Sequence, residues 1–238
     1  MKSIISRTLF FLSFFGASLL LANTPSKMYF LNPSSWNFHQ IIPSPATKTP
    51  EGEARDINFL KDTMAARTKK QLFRALIASS DSIFDYSPII SPAFNANQLP
   101  YSTGIFKEVK SDTDKAIHIA KNEFHRSHPT TWSETKKNGT KISGYSYPSG
   151  HSTRAFVWAG LLTDLFPKKR KEIEIEARTK AWNRVILGRH YPDDVYAGEV
   201  YGQFLARQFL ANPIFQRKWM LIKEEINNAG IRSLSSNN

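Results

Sequence analysis

The 238-residue chain has no cysteine, which excludes disulfide bridges and thiolate chemistry. A domain without cross-links rests on its hydrophobic core, and about 200 residues can supply one. Beyond the N-terminal segment no stretch approaches 18 consecutive apolar residues, which argues against a multi-span membrane enzyme. HEXXH and other dense ligand pairs are absent although there are six histidines, so a zinc hydrolase has little to build on. No segment repeats at a fixed period, which points to one domain. No run alternates as a half-buried strand does, so the fold class expected is all-α, a single-domain helical bundle.

What the chain has in excess is positive charge, 32 Lys+Arg against 20 Asp+Glu, a formal +12. That surplus favours anionic partners: phosphorylated small molecules, membrane surfaces or nucleic acid. The basic patches Lys136–Lys137 and Lys168 to Lys171 lack the interleaved aromatics of a nucleic-acid surface, so no nucleic-acid partner is expected. Lys2 and Arg7 precede an apolar run from Leu9 to Ala22, 14 residues and too short for a span of about 20. Residues 1–22 read as a signal peptide cleaved after Ala22, with an uncleaved anchor as the alternative, and the protein as periplasmic or secreted. The remaining chain stays basic. Residues 23–55 hold five prolines among Ser, Thr and Asn and read as an extended arm laid over the surface, followed by a helical domain over 56–230 and a polar tail over 231–238.

Within that domain, Ile57, Leu60, Met64, Leu72, Phe73 and Leu76 fall at helical spacing between Asp56 and Ser79. Residues 87–100, with three prolines, read as a loop. Ser111-Asp-Thr-Asp114 has the form of a capping box opening a helix that must stop before Pro129. A polar loop over 130–147 leads to Ser152–Phe166, apolar nearly all round as a central core helix is. The next helix runs to about Leu187, with Ile173, Ala177, Ala181 and Val185 on its buried stripe and Gly188 at its end. A last long helix begins at Pro192 and stops near Asn212-Pro213.

Arg184 projects from the buried stripe or close to it, and a guanidinium there is costly unless an anion answers it. His190 and Asp194 stand four apart, within reach of one another on a helical segment. A carboxylate on one imidazole nitrogen leaves the other free as base, nucleophile or ligand. His151 follows Pro148-Ser149-Gly150 at a helix start, where free amides attract anions. Lys121, His125, Arg126 and His128 crowd the end of another helix. Each cluster alone also has a plain structural reading: an ion pair, an acidic first turn, cations at a helix C-terminus.

Taken together, Lys121 with His128-Pro129, Pro148-Ser-Gly-His151, and Arg184 with His190 and Asp194 resemble the three-part signature of the phosphatidic acid phosphatase type 2 superfamily, nearest to bacterial class A nonspecific acid phosphatases. The likeness runs from about Phe59 to Phe215. It departs from the pattern at His128, where the family has arginine, and at Asn183, where serine is usual. The resemblance implies a helical bundle of the acid phosphatase and vanadium haloperoxidase type. It also implies a phosphomonoester hydrolase without metal or other cofactor. His190 is then the nucleophile that becomes phosphohistidine, Asp194 orients it, and His151 is the acid and later the base. Lys121, His128, Ser149, Gly150 and Arg184 hold the phosphoryl oxygens, with Arg126 as an auxiliary contact.

The substrate of such a pocket is a phosphate monoester, and a basic surface suits peripheral contact with a membrane carrying lipid phosphates. Self-association is a further expectation from the relatives. Three rivals are a metal hydrolase, a vanadate-dependent haloperoxidase, for which the chain is short, and an anion-binding relative weakened at His128.

Overall fold

A computed structural model of the chain describes residues 28–45, 49–78, 80–129 and 144–231. The expected signal segment, Lys136–Lys137, most of the loop over 130–147 and nearly all of the polar tail lie outside the described residues. The helices are α1 (Phe38–Ile41), α2 (Pro50–Ala66), α3 (Lys69–Ile77), α4 (Ser87–Ile90), α5 (Pro100–Phe124), α6 (Gly150–Leu165), α7 (Arg170–Ile186), α8 (Pro192–Ala211) and α9 (Pro213–Asn228). No strand occurs among the described residues, and the class is all-α.

The centre is α6, whose Val157, Leu161 and Leu162 are fully buried. Its nearest partner is α8, then α7. Small residues let α6 and α8 approach closely. A Cβ added at Gly202 falls 2.4 Å from the Thr153 carbonyl oxygen, and one at Gly198 falls 2.6 Å from the Ser152 Cβ. Both contacts lie at the start of α6, against the second and third turns of α8, and the first turn of α8 reaches the same place. There Ser152 donates to the Val195 carbonyl at 2.7 Å and the Ser149 amide to the Asp194 carbonyl at 2.9 Å.

Five expectations change in the structure. The segment from Ser111 to Asp114 opens no helix; it lies inside α5, which begins at Pro100. Asp112 is fully buried there and accepts the amides of Tyr29 at 2.9 Å, Phe30 at 2.7 Å and Leu31 at 3.1 Å. Long-range backbone donors have taken the carboxylate that local pattern assigns to a cap. Accordingly the arm is not only a surface layer, because Phe30, Leu31, Phe38 and Ile42 join the core.

The single stripe read from Asp56 to Ser79 is broken at Arg67–Thr68, where Thr68 and Gln71 form a capping box that starts α3. Phe73 and Leu76, placed by period on the buried stripe, face solvent instead. Finally, Asn212-Pro213 ends α8 and also starts α9, with the Asn212 side chain accepting from the Ile214 and Phe215 amides. Proline stops the helix before it and suits the first turn of the helix after it. Within the loop expected over 87–100 the chain also makes the single turn α4.

Candidate active site

Gly188 ends α7 in the left-handed region at φ 68°, and the chain turns through Arg189 and His190 into α8 at Pro192. This turn brings His190 against Asp194 in the first turn of α8, with Nδ1 to Oδ2 at 3.2 Å. Asp194 is fully buried, accepts the Tyr191 amide at 3.0 Å and the Ser146 hydroxyl, and is paired with Arg126 at 2.7 Å. Burial pushes its carboxyl up, and Arg126, Ser146 and the Tyr191 amide pull it back down. An acceptor-only carboxylate on Nδ1 keeps the ring proton there and leaves His190 Nε2 as a lone pair. Burial, then the charge of Lys121, holds His190 well below the usual histidine range, so the ring stays neutral.

Opposite, α6 starts at Gly150 with Ser149 as its N-cap. The Gly150 amide is among the donors that a helix leaves over at its start. A Cβ here sits at an ordinary 3.5 Å from Ile117 and from Arg154, so packing does not demand glycine at this position. His151 follows, with Nε2 3.5 Å from Asp81 Oδ2 and Nδ1 3.4 Å from an Arg154 nitrogen. Burial, followed by the charges of Arg184 and Arg154, pushes its pKa down to about 2.

Arg184 is 5% exposed, and its Nε has no hydrogen-bond partner. Among the described residues no carboxylate forms a salt bridge with it. Burial and the neighbouring Arg189 charge push it down to about 10. Both His151 and His190 feel its charge. Lys121, from the last turn of α5, donates to the carbonyls of Tyr145 and Ser146, and burial pushes it down to about 8.

The structure thus gathers Lys121, His128, Arg184, His190 and Asp194 around one buried spot, with Ser149, Gly150 and His151 at the start of the adjoining helix. Two of the expected contacts take a different form. Arg126 is engaged by Asp56 at 2.7 Å, Asp193 and Asp194, and its guanidinium lies over the Tyr191 ring at 4.2 Å. Three carboxylates hold it behind Asp194, so it positions that residue, and the auxiliary phosphate contact gives way to this anchoring.

His128 does stand beside His190, with ring centroids 5.0 Å apart, but its Nδ1 is 3.1 Å from the Arg189 carbonyl. Burial, helped by Lys121 and Arg184, lowers its pKa below the ordinary histidine value. It is engaged by the Arg189 carbonyl, and with its charged form disfavoured by burial it is a weaker cation at this position than the arginine of the family pattern.

Sequence reasoning missed Ser146, Asp81 and Arg154. Arg154 pairs with Asp81 at 2.7 Å, holding it beside His151, and with Asp114 at 2.8 Å. One signal was legible, since Arg154 stands one turn after Gly150 on the same helix. Nothing local marks Asp81.

The profile of the PAP2 superfamily matches residues 113–218, which contain every residue of the three clusters. Over that stretch, a little under half of its length, the chain is similar to the PAP2 superfamily. Among curated relatives, the non-specific acid phosphatase of Salmonella typhimurium is 26% identical over 149 residues, 60% of this chain and 59% of that protein. The non-specific acid phosphatase of Providencia stuartii is 25% identical over 219 residues, 85% of this chain and 86% of that one. The first match spans less than two thirds of the relative. In fold, the chain resembles a crystal structure of a transmembrane PAP2-type phosphatidylglycerolphosphate phosphatase from Bacillus subtilis, with TM-score 0.50 and 19% identity, covering 77% of this chain and 90% of that one.

Proposed function

We propose that the protein is a metal-independent phosphomonoester hydrolase, an acid phosphatase acting through a phosphohistidine on His190. The observation that carries this reading is Arg184, a buried guanidinium whose Nε is unpaired and which no carboxylate bridges among the described residues. Asp81, a nearby acid whose charge it feels, is paired with Arg154. A permanent charge held that way suits an anion that arrives with the substrate. The Lys121 ammonium and the Gly150 amide at a helix start supply further donors to the same anion.

His190 Nε2 attacks phosphorus as the P–O ester bond breaks, and the leaving oxygen takes a proton delivered through His151. Water then gives a proton back to His151 while its oxygen attacks phosphorus; the P–N bond breaks and inorganic phosphate departs. Asp194 keeps His190 in the attacking tautomer and stabilises its positive charge. Metal independence is supported by the commitment of Asp81 to Arg154 and of Asp56, Asp193 and Asp194 to Arg126, so that each of these four acids near the two histidines already has a cationic partner. The apolar run after Lys2 and Arg7 supports export to the periplasm or beyond.

The test is hydrolysis of a chromogenic aryl phosphate in excess EDTA, with an alkaline quench of radiolabelled substrate to trap the base-stable phosphohistidine. Chelator-resistant turnover and trapped label should both vanish in His190→Ala. Loss of activity to EDTA, or label that persists in the variant, overturns the mechanism.

A further inference from the structure

Helix α3 is amphipathic, yet its larger apolar side points outward. Leu72 and Ala75 seat it on Ile186 and Leu187 at the end of α7. On the other side Phe73 is 64% exposed, Leu76 49% and Ile77 64%. These three stand at i, i+3 and i+4 and so form one contiguous apolar stripe. Lys69 and Lys70 lie one turn earlier on the same side and Arg74 flanks it; none of the three has an ion pair among the described residues. Trp182, one turn before Ile186 on α7, is exposed too and packs edge-on against exposed Phe59 at 6.2 Å, which extends the apolar surface beyond α3.

We infer that α3 is a docking face for an anionic lipid surface, with Phe73, Leu76 and Ile77 entering the headgroup boundary and Lys69, Lys70 and Arg74 resting on lipid phosphates. Apolar side chains ringed by unpaired cations are the chemistry such a surface rewards. A second copy of the chain fits less well. An isologous contact would set the three cations of one protomer against those of the other, within molecules that already carry a formal +12.

The placement gives the face a use. The seat of α3 on Ile186 and Leu187 immediately precedes Gly188, Arg189 and His190, and Arg67 bonds the Ile186 carbonyl at 2.5 Å. Four residues beyond α3 the chain reaches Asp81, which meets His151 and Arg154. Docking by α3 therefore holds the segments that lead to His190 and to Asp81 near the lipid surface, in the neighbourhood of phosphate monoesters displayed by membrane amphiphiles. That consequence rests on the phosphatase reading; the docking itself does not.

Because the chain lacks cysteine, a single Leu76→Cys in the full chain can carry a polarity-sensitive nitrobenzoxadiazole label, with Met220→Cys on α9, also exposed, as the control site. With phosphatidylglycerol-containing vesicles the Leu76 probe should brighten and shift to the blue. It should respond at least threefold less to phosphatidylcholine alone, and the Met220 probe should not respond. Adding Phe73→Ser and Ile77→Ser should weaken vesicle binding at least tenfold and leave aryl phosphate hydrolysis unchanged.

A silent Leu76 probe overturns the inference. So does an equal response at both sites, which would place attachment elsewhere in the chain, or a response that grows with protein concentration without vesicles, which would make the face a contact between copies. His190→Ala should dock like the parent, so failure of docking and failure of hydrolysis are read separately.

Discussion

At the residue scale, under the proposed mechanism, the proton needed by the leaving group decides the pH behaviour. His151, pushed down to about 2 by burial and by Arg184 and Arg154, has no proton of its own to give. The proton must then arrive on the substrate as its monoanion, whose loss has a pKa of about 6. His190, held well below the ordinary range, stays an unprotonated nucleophile on the acid side. Since kcat/KM reports free enzyme and free substrate, it should fall about tenfold per pH unit above about pH 6. Lys121, lowered to about 8 by burial, loses its charge as pH climbs through that value, so the fall should steepen there. In Lys121→Met the steepening should vanish and the first limb remain, at lower activity throughout. A profile of kcat/KM for an aryl phosphate in both proteins checks this. The identities of His190, Asp194, His151 and Arg184 were legible because each sits in a short motif. The engagement of His128 by Arg189 and the anchoring of Arg126 were not, because both join groups more than 60 residues apart in sequence.

At the element scale, the site exists because α6 and α8 touch at their first turns. Gly202→Ala puts a methyl 2.4 Å from the Thr153 carbonyl oxygen and 2.7 Å from the Phe156 Cβ. Overpacking of this kind costs about 1–3 kcal/mol, and each kcal/mol lowers Tm by about 2–4 °C in a domain this size. Activity should fall with Tm as the two helix starts are forced apart. Gly150→Ala is the contrast. Its Cβ meets only ordinary contacts, so Tm should hold while KM for the phosphate ester rises. Thermal melts beside steady-state kinetics separate the two cases. Period and punctuation located α6, α7 and α8 to within about two residues, since their apolar faces and flanking Pro and Gly are strong signals. The same reading misplaced the start of α5 at Ser111. A pattern of Ser and Asp looks alike at a cap and in a helix interior whose carboxylate bonds elsewhere.

At the scale of the whole molecule, one buried carboxylate ties the arm to the body. Asp112→Ala removes the acceptor of three amides and frees the segment that carries Phe30, whose ring packs edge-on against Phe215 at 5.2 Å. Hydrogen bonds to a charged group contribute about 1.5–3 kcal/mol each, and unsatisfied buried donors add to the loss. Limited proteolysis should therefore cut between residues 31 and 50 in the variant well before the parent is cut, with a lower Tm. The sequence by itself determined the helical class, the basic balance and the short motifs, because these follow from composition, period and local spacing. Only the tertiary structure decided that the arm enters the core, that Arg126 serves Asp194, that Asp81 faces His151 and that α3 turns its apolar residues to solvent. Each of these is a partnership between positions far apart in the chain, settled by which groups must share buried space and answer one another's charges there.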